Sequence, residues 1–330
     1  MATAVNWTTN AEGGFMYADE LSDLLRMVLQ SQTKFRQFCA VDEGAIEKGL
    51  HRGATYNWNV YGDVATQGRA LSELSPIPET AGTMTQSSLT VTEYGNSVPI
   101  TQKVTALAKH EVERIVRGQL KNDARKAFDI AAWTEFNACK LRAAAATSTT
   151  AIVLTTNAST VTANNVAMGT GHVKAIVDTM MERDIPGYFE DDYICISHPT
   201  TLRGFKNELE TLNQYTEMGM QKIANGEVGR YEGVRFVTQM YIPKGGAIDS
   251  TTFDPYTKTA DAWDNAKSSW AFFLGDDTVN EAVVIPEEIR SKLPGDYGRS
   301  KGLAWYYMGG FGIVHTVAAQ TRVLKWDSSV

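Results

Sequence analysis

Residues 52–61, RGATYNWNVY, alternate in polarity: Tyr56, Trp58 and Val60 fall on one side and Asn57, Asn59 and Tyr61 on the other, which predicts a strand. The same period returns over residues 88–95, SSLTVTEY. Between them, residues 62–87 hold Gly, Pro, Ser and Thr with few large apolar groups and no period. Two strands flanking a long polar tip predict an extended hairpin over 51–100. A loop of this length is uncommon in a compact domain and is usually functional. This one has little of its own to pack against, so it is expected to lie on another molecule.

From residue 105 to 145 the period changes. Val112, Ile115, Val116, Leu120, Ala124, Phe128, Ala131 and Ala138 recur at steps of three and four, with charges on the other faces. The pattern predicts one helix of roughly 35 residues, about 50 Å long. Nearer the N-terminus, Asp19 is placed to cap a helix over 20–38 with Leu21, Leu24, Leu25, Val28 and Leu29 as its apolar stripe. Residues 1–18 carry little pattern and read as an arm. The Ala-, Ser- and Thr-rich stretch 146–165, around a strand at Ile152–Leu154, is the expected domain boundary.

An αβα unit follows. It comprises a helix over 166–184, an apolar strand Tyr193–Ser197, a helix from Thr200 or Thr201 to about residue 220, and a strand over 234–240. Residues 243–268 read as a polar insertion. Residues 270–274 and 281–285 are expected to pair across a Gly275-Asp276-Asp277 turn. Residues 303–308 and 311–323 are expected to form a last strand pair, broken at Gly309-Gly310. The whole predicts a mixed α+β fold with a long helix between a hairpin and a compact second unit.

Composition narrows the function. The chain has 330 residues, 43% hydrophobic and 21% charged, with a net charge of -7. It can bury a sizeable core, and it lacks the strong basic excess of a protein that grips nucleic acid tightly. Its three cysteines, Cys39, Cys139 and Cys195, are far apart and form no CxxC pair, which argues for reduced thiols. There is no leader-like N-terminus and no run of about 18 apolar residues, so neither export nor a membrane span is expected.

The motifs for phosphate loops, zinc peptidases, nucleophile elbows and dinucleotide folds are missing. Gly169-Thr170-Gly171-His172 reads as an ordinary helix entry, and His198 as a strand-end residue bonding the backbone. Asp191-Asp192 and Asp276-Asp277 read as turn acids, and Glu287-Glu288 as a solvated helix start. Catalytic residues, metal ligands and cofactors are therefore expected to be absent.

Several stretches, in order, resemble one family. They are Gly53-Ala54-Thr55-Tyr56-Asn57-Trp58, Leu71-Ser72-Glu73 with Ile77-Pro78-Glu79, Val91-Thr92-Glu93-Tyr94-Gly95, and Tyr193 to Pro199 before a helix. The most specific is Gly226-Glu227-Val228-Gly229-Arg230-Tyr231-Glu232-Gly233-Val234-Arg235-Phe236. Over residues 50–325 the chain resembles the major capsid proteins of tailed bacteriophages, with their Hong Kong 97-like fold, and more narrowly the podovirus capsid family typified by coliphage N-four. The resemblance implies an N-terminal arm (1–50), an extended loop over a neighbour (51–100), a peripheral domain (101–160 and 301–330) built on the spine helix, and an axial domain (161–300).

It further implies self-assembly into hexamers and pentamers of an icosahedral shell, assembled in a host bacterial cytoplasm. Portal, scaffolding and possible decoration proteins would be partners, with packaged double-stranded DNA only in weak contact and no membrane. Leu21, Leu25, Tyr56, Trp58, Tyr61, Leu71, Glu73, Val91 and Tyr94 are the residues expected at subunit interfaces. An encapsulin-type compartment shell and an α/β enzyme are the alternatives.

Overall fold

The computed structural model describes residues 34–42, 55–64, 68–73, 76–146, 150–158, 166–213, 229–239, 242 and 269–328. The expected arm helix falls mostly outside these residues; its end, Phe35–Phe38, is a single 3-10 turn. Strand β1 (Ala40–Asp42) follows. Strands β2 (Thr55–Tyr61) and β3 (Met84–Thr90) form the hairpin as a two-stranded sheet in antiparallel register, with Trp58 opposite Ser87 and Tyr61 opposite Met84. The alternation read from 52–61 holds: Tyr56, Trp58 and Val60 are half-buried while their neighbours are exposed.

The returning strand is longer than expected. After Val91 it continues as β4 (Thr92–Thr101), which leaves the hairpin and pairs with β12 (Ser300–Ile313). A short helix α1 (Gln102–Leu107) precedes the spine helix α2 (Val112–Asn137). The spine has 26 residues rather than 35, about 39 Å at 1.5 Å per residue. Ala108 is already extended, which separates α1 from α2. At the far end, Leu141–Ala145 form strand β5. Its LRAAA sequence favours a helix by propensity, yet four of the five residues are buried within a sheet, so tertiary packing overrides the local preference.

Two larger sheets carry the body. One runs β1-β11-β12-β4, with β11 spanning Val279–Ser291. The other has seven strands in the order β6-β5-β13-β10-β7-β9-β8. These are β6 (Ile152–Thr155), β7 (Tyr193–Ser197), β8 (Arg230–Tyr231), β9 (Val234–Thr238), β10 (Ser269–Leu274) and β13 (Val323–Ser328), with β5 already described. Residues 270–274 and 281–285 therefore do not pair. The Gly275–Asp277 turn carries the chain from one sheet to the other, held by Gly275 N–H on Arg322 carbonyl (3.0 Å) and Asp276 N–H on Pro186 carbonyl (3.1 Å). Likewise 303–323 is not one strand pair. β12 runs unbroken through Gly309 and Gly310, and β13 lies in the other sheet. The seven-stranded sheet draws strands from both sides of the boundary expected at 146–165.

The seven-stranded sheet is apolar on both faces, with strict alternation. Tyr193, Cys195, Ala271, Phe273, Leu324 and Trp326 pack toward helices α3 (Thr170–Glu182) and α4 (Arg203–Asn213). Ile194, Ile196, Phe272, Leu274 and Val323 pack the other way, into the core shared with α2, β11 and β12. Trp133 of α2 stacks on Trp270 with ring centres 6.0 Å apart, and Phe35 sits between Phe136 and Phe272. The N-terminal turn thus wedges between the spine and the second sheet.

Candidate intersubunit surface

The hairpin is rooted on glycines. A Cβ on Gly310 would stand 2.6 Å from the Thr90 carbonyl, and one on Gly312 would stand 2.7 Å from Leu89 Cβ and 3.0 Å from the Trp58 ring. Only bare backbone lets β3 and Trp58 settle onto β12. The Trp58 indole N–H points at the Val314 carbonyl (3.4 Å), which also accepts from the Ser87 hydroxyl (2.7 Å). The Tyr56 hydroxyl donates to Asp42, and this bond pushes its pKa up to about 12.

The expected interface residues therefore divide. Tyr56 and Trp58 are half-buried against their own chain, and Val91 packs with them around Leu89 and Ala282. Tyr94 belongs to the main core, against Phe128 and Tyr307. The outward-facing set is Tyr61 (77% exposed), Leu71 (49%) and Glu73, joined by Val64, Ile77 (74%) and Met84. Leu21 and Leu25 lie outside the described residues. Trp58 is claimed by its own chain because Gly312 opens a seat for it, a close approach that periodicity does not reveal.

A second exposed apolar set was not singled out from sequence. It lies where β11 turns into β12: Ile289, Leu293 (86%) and Tyr297 stand exposed before and within the turn at Asp296–Arg299, which follows Leu293-Pro294-Gly295. The Pro and Gly that punctuate an apolar stretch there were the available signal.

Beneath the hairpin root lies a charged core that sequence reasoning also missed. Arg36 forks onto Glu281 (2.8 Å from Nη2) and Glu287 (3.1 Å), and its guanidinium lies 4.4 Å over the Phe128 ring. Glu281 is 1% exposed and also accepts from the Tyr307 hydroxyl (2.8 Å). Burial works against the Arg36 charge, but its bonds to the two glutamates outweigh that and raise its pKa; burial together with Glu281 raises that of Tyr307. Arg36 in turn holds Glu287 below the usual carboxylate range.

Glu287 and Glu288 stand on a strand, correcting the expected helix start; register shifts on either side of Ile285, beside Pro286, mark the local irregularity. Asp129 in α2 binds two more parts of the body, accepting from Phe35 N–H (2.9 Å) and from Gln239 (3.0 Å).

The other chemical candidates have structural roles. Glu208 accepts from Thr170 N–H (2.6 Å) and the Thr170 hydroxyl (2.7 Å), so the helix entry at Gly169-Thr170-Gly171 is filled by the chain's own carboxylate. His198 Nδ1 accepts from Thr200 N–H (3.2 Å). Asp192 is pinned by Arg235 (2.9 Å) and Arg230 (2.6 Å), which hold its carboxyl low, rather than serving only as a turn acid. The three cysteines are free and buried, and burial raises the pKa of each. Among the described residues no group of three His, Cys, Asp or Glu could hold a metal ion, and no helix is long and apolar enough to cross a membrane.

A family model described as phage capsid protein matches residues 85–321. The chain belongs to the phage capsid protein family. Solved capsid structures share its fold. The capsid of cyanophage P-SCSP1u is similar with a TM-score of 0.64 at 14% identity, covering 97% of this chain and 95% of that one. The Ralstonia phage GP4 capsid gives 0.65 at 13% identity, covering 94% of each. The acidic stable capsid of Helicobacter pylori bacteriophage KHP30 gives 0.67 at 10% identity, covering 100% of each. No curated relative matches by sequence. This capsid protein thus has the Hong Kong 97-like fold and is a shell subunit; the compartment and enzyme alternatives are not favoured.

Proposed function

We propose that this capsid protein closes an icosahedral shell around a double-stranded DNA genome by laying its hairpin tip across a neighbouring copy. The observation that carries the reading is the set of exposed apolar side chains, Tyr61, Val64, Leu71, Ile77 and Met84, on an extension beyond the body. Fully burying one Leu or Ile contributes about 1.5–3 kcal/mol, so a few such contacts per neighbour are reversible singly and strong in sum. Because the tip meets a different surface on its neighbour, the contact is heterologous and closes rings where rotation permits.

The finer assignments follow the sequence motifs. Residues 1–50 act as an arm, 51–100 as the extended loop, 101–160 with 301–330 as the peripheral domain, and 161–300 as the axial domain. Tyr61, Leu71 and Glu73 meet the neighbour, and Leu21 and Leu25 belong to the arm's contact. The subfamily is the podovirus type of coliphage N-four. The role is structural rather than catalytic. Assembly takes place in the host cytoplasm with portal and scaffolding proteins, and the enclosed DNA touches the shell weakly.

The test is a truncation. Because Tyr61 and Met84 are register partners, replacing residues 62–83 by a two-residue Asn-Gly turn closes the hairpin without disturbing its root. The variant subunit should keep the wild-type melting temperature and form no closed shells in negative-stain micrographs. Normal particles from the truncated subunit would overturn the reading.

A further inference from the structure

The chain is acidic overall, but its charge is not evenly spread. Residues 112–126 of the spine helix hold five cations and two carboxylates, a local +3 in a chain of net charge -7. Arg114, Arg117, Lys121 and Arg125 are all exposed and follow at steps of three, four and four. At 3.6 residues per turn they fall within an arc of about 80°, in a row about 16 Å long.

Of the nearby acids, Glu287, Glu288 and Asp123 are already engaged, while Glu111, three residues before Arg114, makes no ion pair with described residues. Across a cleft of about 500 Å³ that Arg117, Lys121 and Arg125 help to line, Glu287 is taken by Arg36 and Glu288 by Arg290 (2.5 Å). Asp123 accepts from Asn96 (2.9 Å) and from the Trp305 indole (2.8 Å). Among the described residues Arg117 has only Glu113, at 3.8 Å with both side chains exposed. With described residues, Arg114, Lys121 and Arg125 make no ion pair. A row of like charges spaced this closely repels itself, so a folded chain that leaves it uncompensated has a use for an outside anion.

Two kinds of anion could lie there: a nucleic-acid backbone or an acidic protein segment. Protein interfaces are anchored by aromatic and aliphatic side chains at their centre. Among the described residues no large hydrophobic side chain is exposed on the helix between Leu107 and Val153, and the cleft beside the row adds one exposed apolar group, Ile289, with no exposed aromatic ring, so the row offers many cations and few such anchors. Phosphate contact needs only the cations.

We infer that Arg114, Arg117, Lys121 and Arg125 form a phosphate-binding ridge that meets the backbone of the enclosed double-stranded DNA without reading its sequence. The inference rests on the shell reading and gives it an inner surface. Four contacts to a polyanion bind weakly at physiological salt, so the ridge orders the outermost duplex without trapping it.

The test is a salt titration of duplex binding by the purified full-length chain, followed by fluorescence anisotropy of a labelled 20-base-pair duplex, with electron microscopy of the same samples. Four phosphate contacts give a slope of about -3.6 in log affinity against log salt. The variant Arg114→Gln/Arg117→Gln/Lys121→Gln/Arg125→Gln should lose most of that slope while still forming particles, and Arg114→Lys/Arg117→Lys/Arg125→Lys should keep it. If the glutamine variant fails to fold, the single substitutions Arg114→Gln and Arg125→Gln should each reduce the slope by about 1.

An unchanged slope in these variants overturns the ridge and leaves the shell reading intact. Displacement of the duplex by an oligoglutamate peptide at lower concentration than unlabelled DNA also overturns it, reassigning the helix to an acidic protein segment. Absence of particles from the wild-type chain under assembly conditions would strike the shell reading itself, whatever the slope.

Discussion

Arg36 is the residue on which the N-terminal segment and the body depend together. It leaves the 3-10 turn, crosses the Phe128 ring and neutralises Glu281, a carboxylate with almost no solvent contact. Removing one partner of a buried pair leaves an uncompensated charge, at a cost of about 3–5 kcal/mol. Arg36→Ala should therefore lower subunit stability by about 3 kcal/mol in urea denaturation, discounted to the lower end because Arg36 is partly exposed. Glu281→Gln should cost less, since Arg36 keeps Glu287. Equal losses would show that the fork is not shared in this way.

His315 gives a second residue-scale expectation. It lies beside the hairpin root, 5% exposed, with Asp277 3.8 Å away. Burial and Arg322 lower its pKa, and Asp277 only partly offsets them. With the folded value below the unfolded one of about 6.5, the unfolded chain takes up the proton first, so stability is lost as pH falls from about 6.5 toward the folded value. The melting temperature should drop between pH 7 and 5.5 in the wild type and drop less in His315→Gln. Parallel pH curves would contradict the assignment. Asp192 and Glu287, held low by arginines, titrate in a more acidic window and do not confuse the comparison.

At the scale of elements, period-2 and period-3.6 patterns were legible where one face met water, and a short run of apolar residues marked β7, which is buried on both faces. β2, β6, β7, β9 and α3 stand close to where their alternation, apolar run or stripe places them. The failures have physical causes. The LRAAA run of β5 has no polar face, so its alanines read as a helix until the sheet buries them. Gly309-Gly310 reads as a break, but both glycines are inside β12, where Thr90 and Leu89 of the hairpin press against the backbone. The Gly275–Asp277 turn looks like a hairpin connection because the partners of β10, in β13 and β7, lie at least 49 residues away and leave no local trace. Tyr61, Leu71 and Glu73 were legible as outward residues because the tip around them has no period of its own. Trp58 was not legible as an inward residue, because its seat is made by a glycine more than 250 positions away.

At the scale of the whole molecule, two sheets and a spine form a body with its core divided between the two faces of the seven-stranded sheet. A hairpin with a fixed root and an exposed apolar tip extends from that body. A fixed root sets where the tip leaves the body. The split follows from chemistry: glycine and Trp58 at the root, isolated apolar groups among Gly, Ser and Pro at the tip.

Hydrogen–deuterium exchange, compared between free subunits and assembled particles, tests this account most directly. The account predicts that amides in residues 68–73 and 76–82 exchange fast in the free subunit and become strongly protected in particles, while β4 amides paired with β12 are equally protected in both. Tip amides that exchange as fast in closed particles as in free subunits would contradict it.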